Sequence, residues 1–306
     1  GTVVNNGTMA GVSNAGSFTN TLTAGALTNT GAGTGSNSGT LASLAHNSTG
    51  LFTNTGAVTG ATSVSDGTLT LNAGTNLSDS NALTVTGGIV NVNAAETVGS
   101  LVANGGVTNV NAQMNAGSLS GTAGSIVLTD NLAAGSAGTS TSFGGVMSGA
   151  GGFQKQGGGT QTLSGANTYL GPTVVNAGTL DVTGSIASAV VTVNNAASVK
   201  VDGASLLDTA AVTLNGTSNL TLTGSETIGS LAGVLGTTVA LAGNTLTTGD
   251  ATSTTMAGVM SGVGGSLTKE GAGTFTLTGA NTYSGPTVVN AGTLDVTGSI
   301  ASAVVT

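Results

Sequence analysis

Residues 165–192 read GANTYLGPTVVNAGTLDVTGSIASAVVT, and residues 279–306 read the same with one change, Leu170 to Ser284. Working outward at this offset of 114, Lys155 falls on Lys269, Gly157 on Gly271 and Pro172 on Pro286. Upstream the offset drifts. VMSGAGG (146–152) faces VMSGVGG (259–265) at 113, and AETVGSL (95–101) faces SETIGSL (225–231) at 130. The two units therefore gain or lose blocks of one coil's length, about 17–19 residues, while staying alignable. A sandwich or closed barrel does not tolerate such a change. A solenoid does, because one coil can be added or removed without disturbing how its neighbours stack.

Short runs such as ALTVTGG (82–88), SVKVDG (198–203), NLTLTG (219–224) and GTLTLNAG (67–74) alternate apolar and polar residues and close on Gly or Asn. Period two marks half-buried strands, and Gly or Asn accepts the backbone of the turns between them. Good helix formers other than Ala and Leu are scarce. The expectation is an all-β parallel β-helix, a β-solenoid of about 16 coils of roughly 17–22 residues, with about six coils in each long unit. Coils stacked at the strand spacing would make a rod of roughly 75–80 Å.

One continuous solenoid is expected over 1–306, with Asn- and Gly-rich variant coils at 1–66. A first long unit follows at 67–177, a second at 178–291 and the start of a third at 292–306. Within the variant coils GTMAGVSNAGSFTNT (7–21) resembles GTLASLAHNSTGLFTNT (39–55), which sets Phe18 against Phe52. Asn recurring before a turn, as at Asn176 and Asn290, is expected to build amide ladders.

The 306 residues include three Lys, no Arg and 11 acids, so 5% are charged, against about 25% in an ordinary domain. Disorder needs low hydropathy with high net charge, and the mean hydropathy of +0.34 argues for order. A net charge of −8 without Arg argues against nucleic acid, whose binding rests on Lys and Arg contacts to phosphate. There is no Cys and hence no disulfide framework. No apolar run reaches the length of a membrane helix. With no initiator Met and no signal-peptide pattern, the chain is expected to be a window onto a longer rod.

GGGTQTLSGANTYLGPTVVNAGTLDV (157–182) and GAGTFTLTGANTYSGPTVVNAGTLDV (271–296) resemble the passenger-associated repeat of bacterial autotransporters and related surface proteins. That resemblance implies a right-handed β-helix and secretion across the outer membrane, usually ahead of a C-terminal membrane barrel.

Candidate chemistry is sparse. His46 is the one His, and no acid precedes Asp66, so a Ser-His-Asp arrangement is disfavoured and a surface or turn position is expected. Asp181 and Asp202 could fall on adjacent coils, as a polysaccharide-acting β-helix would need of two carboxylates; a solvated stripe is the simpler reading. Lys155 and Lys269, with Glu270, suggest an isopeptide crosslink, but Gln156 stands where the second copy has Glu270, so exposed lysines are expected. GAGGFQKQGGG (149–159) lacks the ending of a phosphate loop and the Asp of a calcium repeat. Thr-x-Thr pairs lack the constant spacing of an ice-matching face. Tyr169 and Tyr283, each shortly before a Gly-Pro pair, are expected to pack over a coil corner.

No residue is thus assigned a catalytic, cofactor or metal role. The expected function is that of a non-catalytic, extracellular or surface-displayed structural solenoid, an adhesin passenger or filament subunit. It would act by stiffness, length and self-association, end to end or laterally, with cell-surface or glycan contacts. The alternative is a polysaccharide-binding or polysaccharide-cleaving β-helix.

Overall fold

Apolar residues at alternate positions give each short strand one row facing inward and one facing out, and a parallel stack is the arrangement that buries every inward row. A computed structural model describes residues 1–73, 76–302 and 304–306. Among the described residues the strand pairings are parallel, and there is no helix. The described residues make about sixteen turns and fall into two units, Gly1–Gly151 and Gly152–Thr306. The strand expected at 67–74 is part of Thr62–Leu71; its closing Gly74 lies outside the described residues.

In the first unit Thr2 pairs with Ser17, Ser17 with Thr34 and Val107 with Ser125. The opening turn, from Thr2 to Ser17, is therefore shorter than the range expected from sequence. Phe18, Gly35 and Phe52 lie in one register column, so the spacing from Phe18 to Phe52 is two turns. Gly35 belongs between the rings because a Cβ there would run into the Phe52 ring.

The second unit has three faces. The first runs from Phe153–Lys155 through Thr173–Val175 and Val190–Val193 to Thr254–Met256 and Thr274–Leu277. The second includes Thr160–Leu163, Thr179–Val182 and Val259–Ser261. The third includes Ala166–Asn167, Ser185–Ile186, Glu226–Ile228 and Ser266–Lys269. The long repeat, expected at about six coils, spans slightly less than six turns. From Phe153–Lys155, five turns lead to Thr254–Met256, and the matching strand Ser266–Lys269 comes two faces later. The repeat is not a whole number of coils, so the two near-identical copies occupy different faces. Such a rotation is possible because each face offers the same geometry: a short strand with alternate side chains turned inward.

Candidate functional site

The side chains that combine chemistry with burial lie inside the stack. In the first repeat copy, strand Phe153–Lys155 points Phe153 and Lys155 inward and Gln154 outward. Lys155 is 1% exposed, and its Nζ donates to the carbonyls of Gln156 at 2.5 Å, Gly157 at 2.7 Å and Ala177, one turn on, at 3.1 Å. Gly157 (φ +63°) and Gly178 (φ +66°) turn the backbone around this ammonium. A Cβ at Gly178 would also enter the van der Waals shell of the Gly159 oxygen. Burial pushes the Lys155 pKa down. The second copy repeats the arrangement: Lys269 donates to the carbonyls of Glu270, Gly271 and Ala291.

Both lysines were expected on an exposed coil, and both are instead buried. The physical reason is period two, which turns the third residue of an inward-outward-inward strand into the core, where three carbonyls compensate its charge. No isopeptide trio is assembled. Lys269 meets the main-chain oxygen of Glu270, while that carboxylate accepts from Asn290 Nδ2 at 2.6 Å.

The remaining motif polar groups behave alike. Tyr169 and Tyr283 are fully buried, with their hydroxyls 2.7 and 2.8 Å from Thr173 and Thr287 Oγ1, so they pack as expected. Burial raises the Tyr169 pKa. Asn167 Nδ2 donates within its own turn to Gly165 O at 2.9 Å and to the next turn at Ser185 O, 3.1 Å. Asn281 does the same with Gly279 and Ser299. Each copy is therefore a polar staple between consecutive turns.

The variant coils hold a second system. Asn5, Asn20, Asn37, Asn54 and Asn76 are buried and pass amide hydrogen bonds from turn to turn at 2.6–3.2 Å. A parallel row runs Asn14, Asn29, His46. His46, expected at the surface or in a turn, lies in strand Thr40–Asn54, is 1% exposed and occupies an asparagine rung. Asn29 Nδ2 donates to its Nδ1 at 3.3 Å, which leaves the proton on Nε2 to donate to Gly50 O at 3.1 Å. Burial lowers its pKa, against smaller opposing effects of the Gly50 carbonyl and of Asp66. The signal in the sequence was the spacing: His46 follows Asn29 by the same interval at which Asn37 follows Asn20. The ladder expected at Asn176 exists, through Asn194 and Asn215 at 3.0 Å each, but it is only half-buried; Asn290 instead binds Glu270.

Sequence reasoning missed two carboxylate clasps. Glu96, 2% exposed, accepts the main-chain N–H of Asn76 at 2.9 Å and of Leu77 at 3.3 Å. Glu226, equally buried, accepts the N–H of Ser205 at 3.0 Å. Burial raises both pKa values, offset in part by these N–H donors. The available signal was NLSDSNALTV (76–85) against SLLDTAAVTL (205–214), an offset of 129 that matches the clasp motifs at 130.

Asp181 and Asp202 are not brought together as a dyad. Asp181 lies opposite Lys200 on the next turn, with Nζ to Oδ1 at 3.3 Å, and Asp202 sits beside Gly224. Among the described residues no group of three or more His, Asp or Glu could hold a metal ion, and no helix is long and apolar enough to cross a membrane.

These features define a class: a parallel β-solenoid whose buried polar side chains hold one turn to the next. Residues 153–182 and 267–296 match the family model described as the passenger-associated-transport-repeat, and both stretches carry the staple. The chain is also similar to the adhesin BmaC autotransporter of Brucella suis biovar 1 (strain 1330), at 36% identity over 172 residues. That match covers 55% of this chain and 4% of the relative, so the chain spans only a small part of that protein's length. No solved structure matches.

Proposed function

We propose that this chain is part of a surface-displayed autotransporter passenger, acting as a non-catalytic adhesin-like solenoid outside the cell. The observation that carries this reading is the pair of family-matching repeats folded as interior staples of a parallel stack. Similarity to an autotransporter adhesin supports it. The chemistry is directed inward: lysine, tyrosine, asparagine and glutamate of the motifs contact the chain's own interior. What faces outward is polar Thr, Ser and Asn with few charges, interspersed with exposed Val and Leu such as Leu170, Leu235 and Val263. Such a surface suits many weak contacts with cell surfaces, glycans or other copies of itself.

The test is display of the chain ahead of an outer-membrane barrel on intact bacteria. Expected outcomes are release of the chain by external protease and increased settling or binding of displaying cells. A purified chain that turns over a polysaccharide, with loss of turnover in Asp181→Asn or Asp202→Asn, would overturn the non-catalytic reading.

A further inference from the structure

On the first face of the second unit lies a hollow of about 410 Å³, lined among others by Thr213, Ala232, Val234, Leu235, Thr255 and Ala257. Its origin is a change in corner length. Between the first and second faces the chain uses four-residue corners in three successive turns, at 194–197, 215–218 and 234–237. In the next turn the corner between Met256 and Val259 is only Ala257 and Gly258. The Val234–Thr237 corner is thus the last long one; the short corner that follows meets its two ends, where Ala257 N donates to Gly233 O and Val259 N to Thr237 O, and leaves Val234 and Leu235 uncovered. At the same two positions the earlier corners carry Asn194-Asn195 and Asn215-Gly216. This one presents Val234 and Leu235, which are 47% and 83% exposed.

We propose that this hollow is a contact between two copies of the chain. About a two-fold axis, the Val234–Thr237 corner of each copy stacks on that of the other and fills the place left by the shortened corner. The proposal rests on the self-association in the function proposed above and gives it a location.

The occupant follows from three observations. A two-fold interface must be self-complementary, and here the protruding apolar corner and the hollow belong to one surface. The missing neighbour is a four-residue corner, and these corners already stack on one another within the chain, as where Thr217 N donates to Asn195 O. Between Asp208 and Asp250 the sole charged side chain is Glu226, which is buried. The surroundings therefore neither steer a charged partner nor repel an identical one. Two corners bury far less than the roughly 1,600 Å² of a stable complex. The contact is accordingly weak in solution, and because each corner lies on the far side of the other, the two copies run in opposite directions.

The chain contains no cysteine, so Leu235→Cys introduces a single thiol. Under mild oxidation it is expected to crosslink at least about tenfold faster than Val263→Cys, which is 91% exposed at a different corner. Sedimentation should show concentration-dependent dimers of the parent, weakened about a hundredfold or more in Leu235→Asp, since each copy loses a buried leucine. Leu235 is exposed, so both variants keep the fold. Equal crosslinking at the two positions overturns the proposal. If the parent associates and Leu235→Asp associates equally well, the hollow is wrong while self-association stands. A parent that stays monomeric at every concentration overturns both.

Discussion

Lys155→Met removes the ammonium of the first staple and keeps a side chain of similar length. In the structure Nζ serves three main-chain oxygens at 2.5–3.1 Å. Hydrogen bonds from a charged donor contribute about 1.5–3 kcal/mol each, a gross of roughly 4–9 kcal/mol. Burying the ammonium costs several kcal/mol, and the methionine avoids that cost. The difference leaves a net loss of about 2–4 kcal/mol, borne by three carbonyls that have lost their donor. In a solenoid each turn contacts only its neighbours, so the loss is local and a single global unfolding energy would dilute it. Hydrogen exchange read peptide by peptide is the suitable assay. Protection across 153–164 should fall about 30- to 1,000-fold, at about 1.4 kcal/mol per tenfold. The stretch 267–278, whose own lysine clamp is intact, serves as control within the same molecule. If exchange at 153–164 stays within about threefold of the parent, water or backbone relaxation satisfies those carbonyls and the staple is not what holds the turns.

Two pH dependences of opposite sign follow from the buried titratable groups. His46 has a lowered folded-state pKa, so the unfolded chain takes up a proton first. Stability of the first unit is full above the ordinary value of 6.5 and falls as the pH drops below it, towards the folded value. His46→Asn, which restores an asparagine rung, should flatten this step in exchange or thermal melts, and an unchanged step would assign it to another group. Glu226 has a raised folded-state pKa, so its ionisation opposes folding. The second unit should gain stability as the pH falls from that raised value to 4.5 and change little from this group below it, by about 1.4 kcal/mol per unit of difference. Glu226→Gln should remove the gain, and persistence of the gain in melts of the variant would refute the assignment.

The solenoid was legible because insertions of one coil leave a trace in the offsets between repeats, and because period two is visible in runs such as NLTLTG. The direction of Lys155 was equally legible by period two from Phe153, but the habit of placing lysine outside overrode the pattern. His46 was hidden for a similar reason. Its identity suggested chemistry, whereas its spacing from Asn29 identified it as a rung. The rotation of the second repeat copy could not be read from sequence. It depends on how much chain each corner uses, and short corners of Gly, Asn, Ala and Thr carry little signature. The clasps at Glu96 and Glu226 join a side chain to backbone N–H groups one turn earlier, so their trace in the sequence is indirect: the partner stretches 76–85 and 205–214 recur at nearly the offset of the glutamates.

The buried polar groups also answer a problem of specificity created by the composition. Strands of Thr, Val, Leu and Ala separated by glycine are nearly interchangeable, and a slip of two positions keeps every apolar side chain facing inward. Apolar packing alone therefore distinguishes the right register from its neighbours only weakly. Each of the buried systems has a polar contact that crosses one turn: Lys155 to Ala177, Asn167 to Ser185, Asn37 to Asn54, Glu96 to Asn76. A slip that mispairs any of them strands a buried donor or acceptor, at about 1–3 kcal/mol, more where the group is charged. Several such contacts in successive turns make slipped stacks costly in proportion to their number, although each correct contact adds little net stability. A near-uncharged chain gains uniqueness in this way without placing charge on its surface. The repeats keep the residues that make these contacts at matching interior positions, Lys155 with Lys269, Asn167 with Asn281 and Tyr169 with Tyr283.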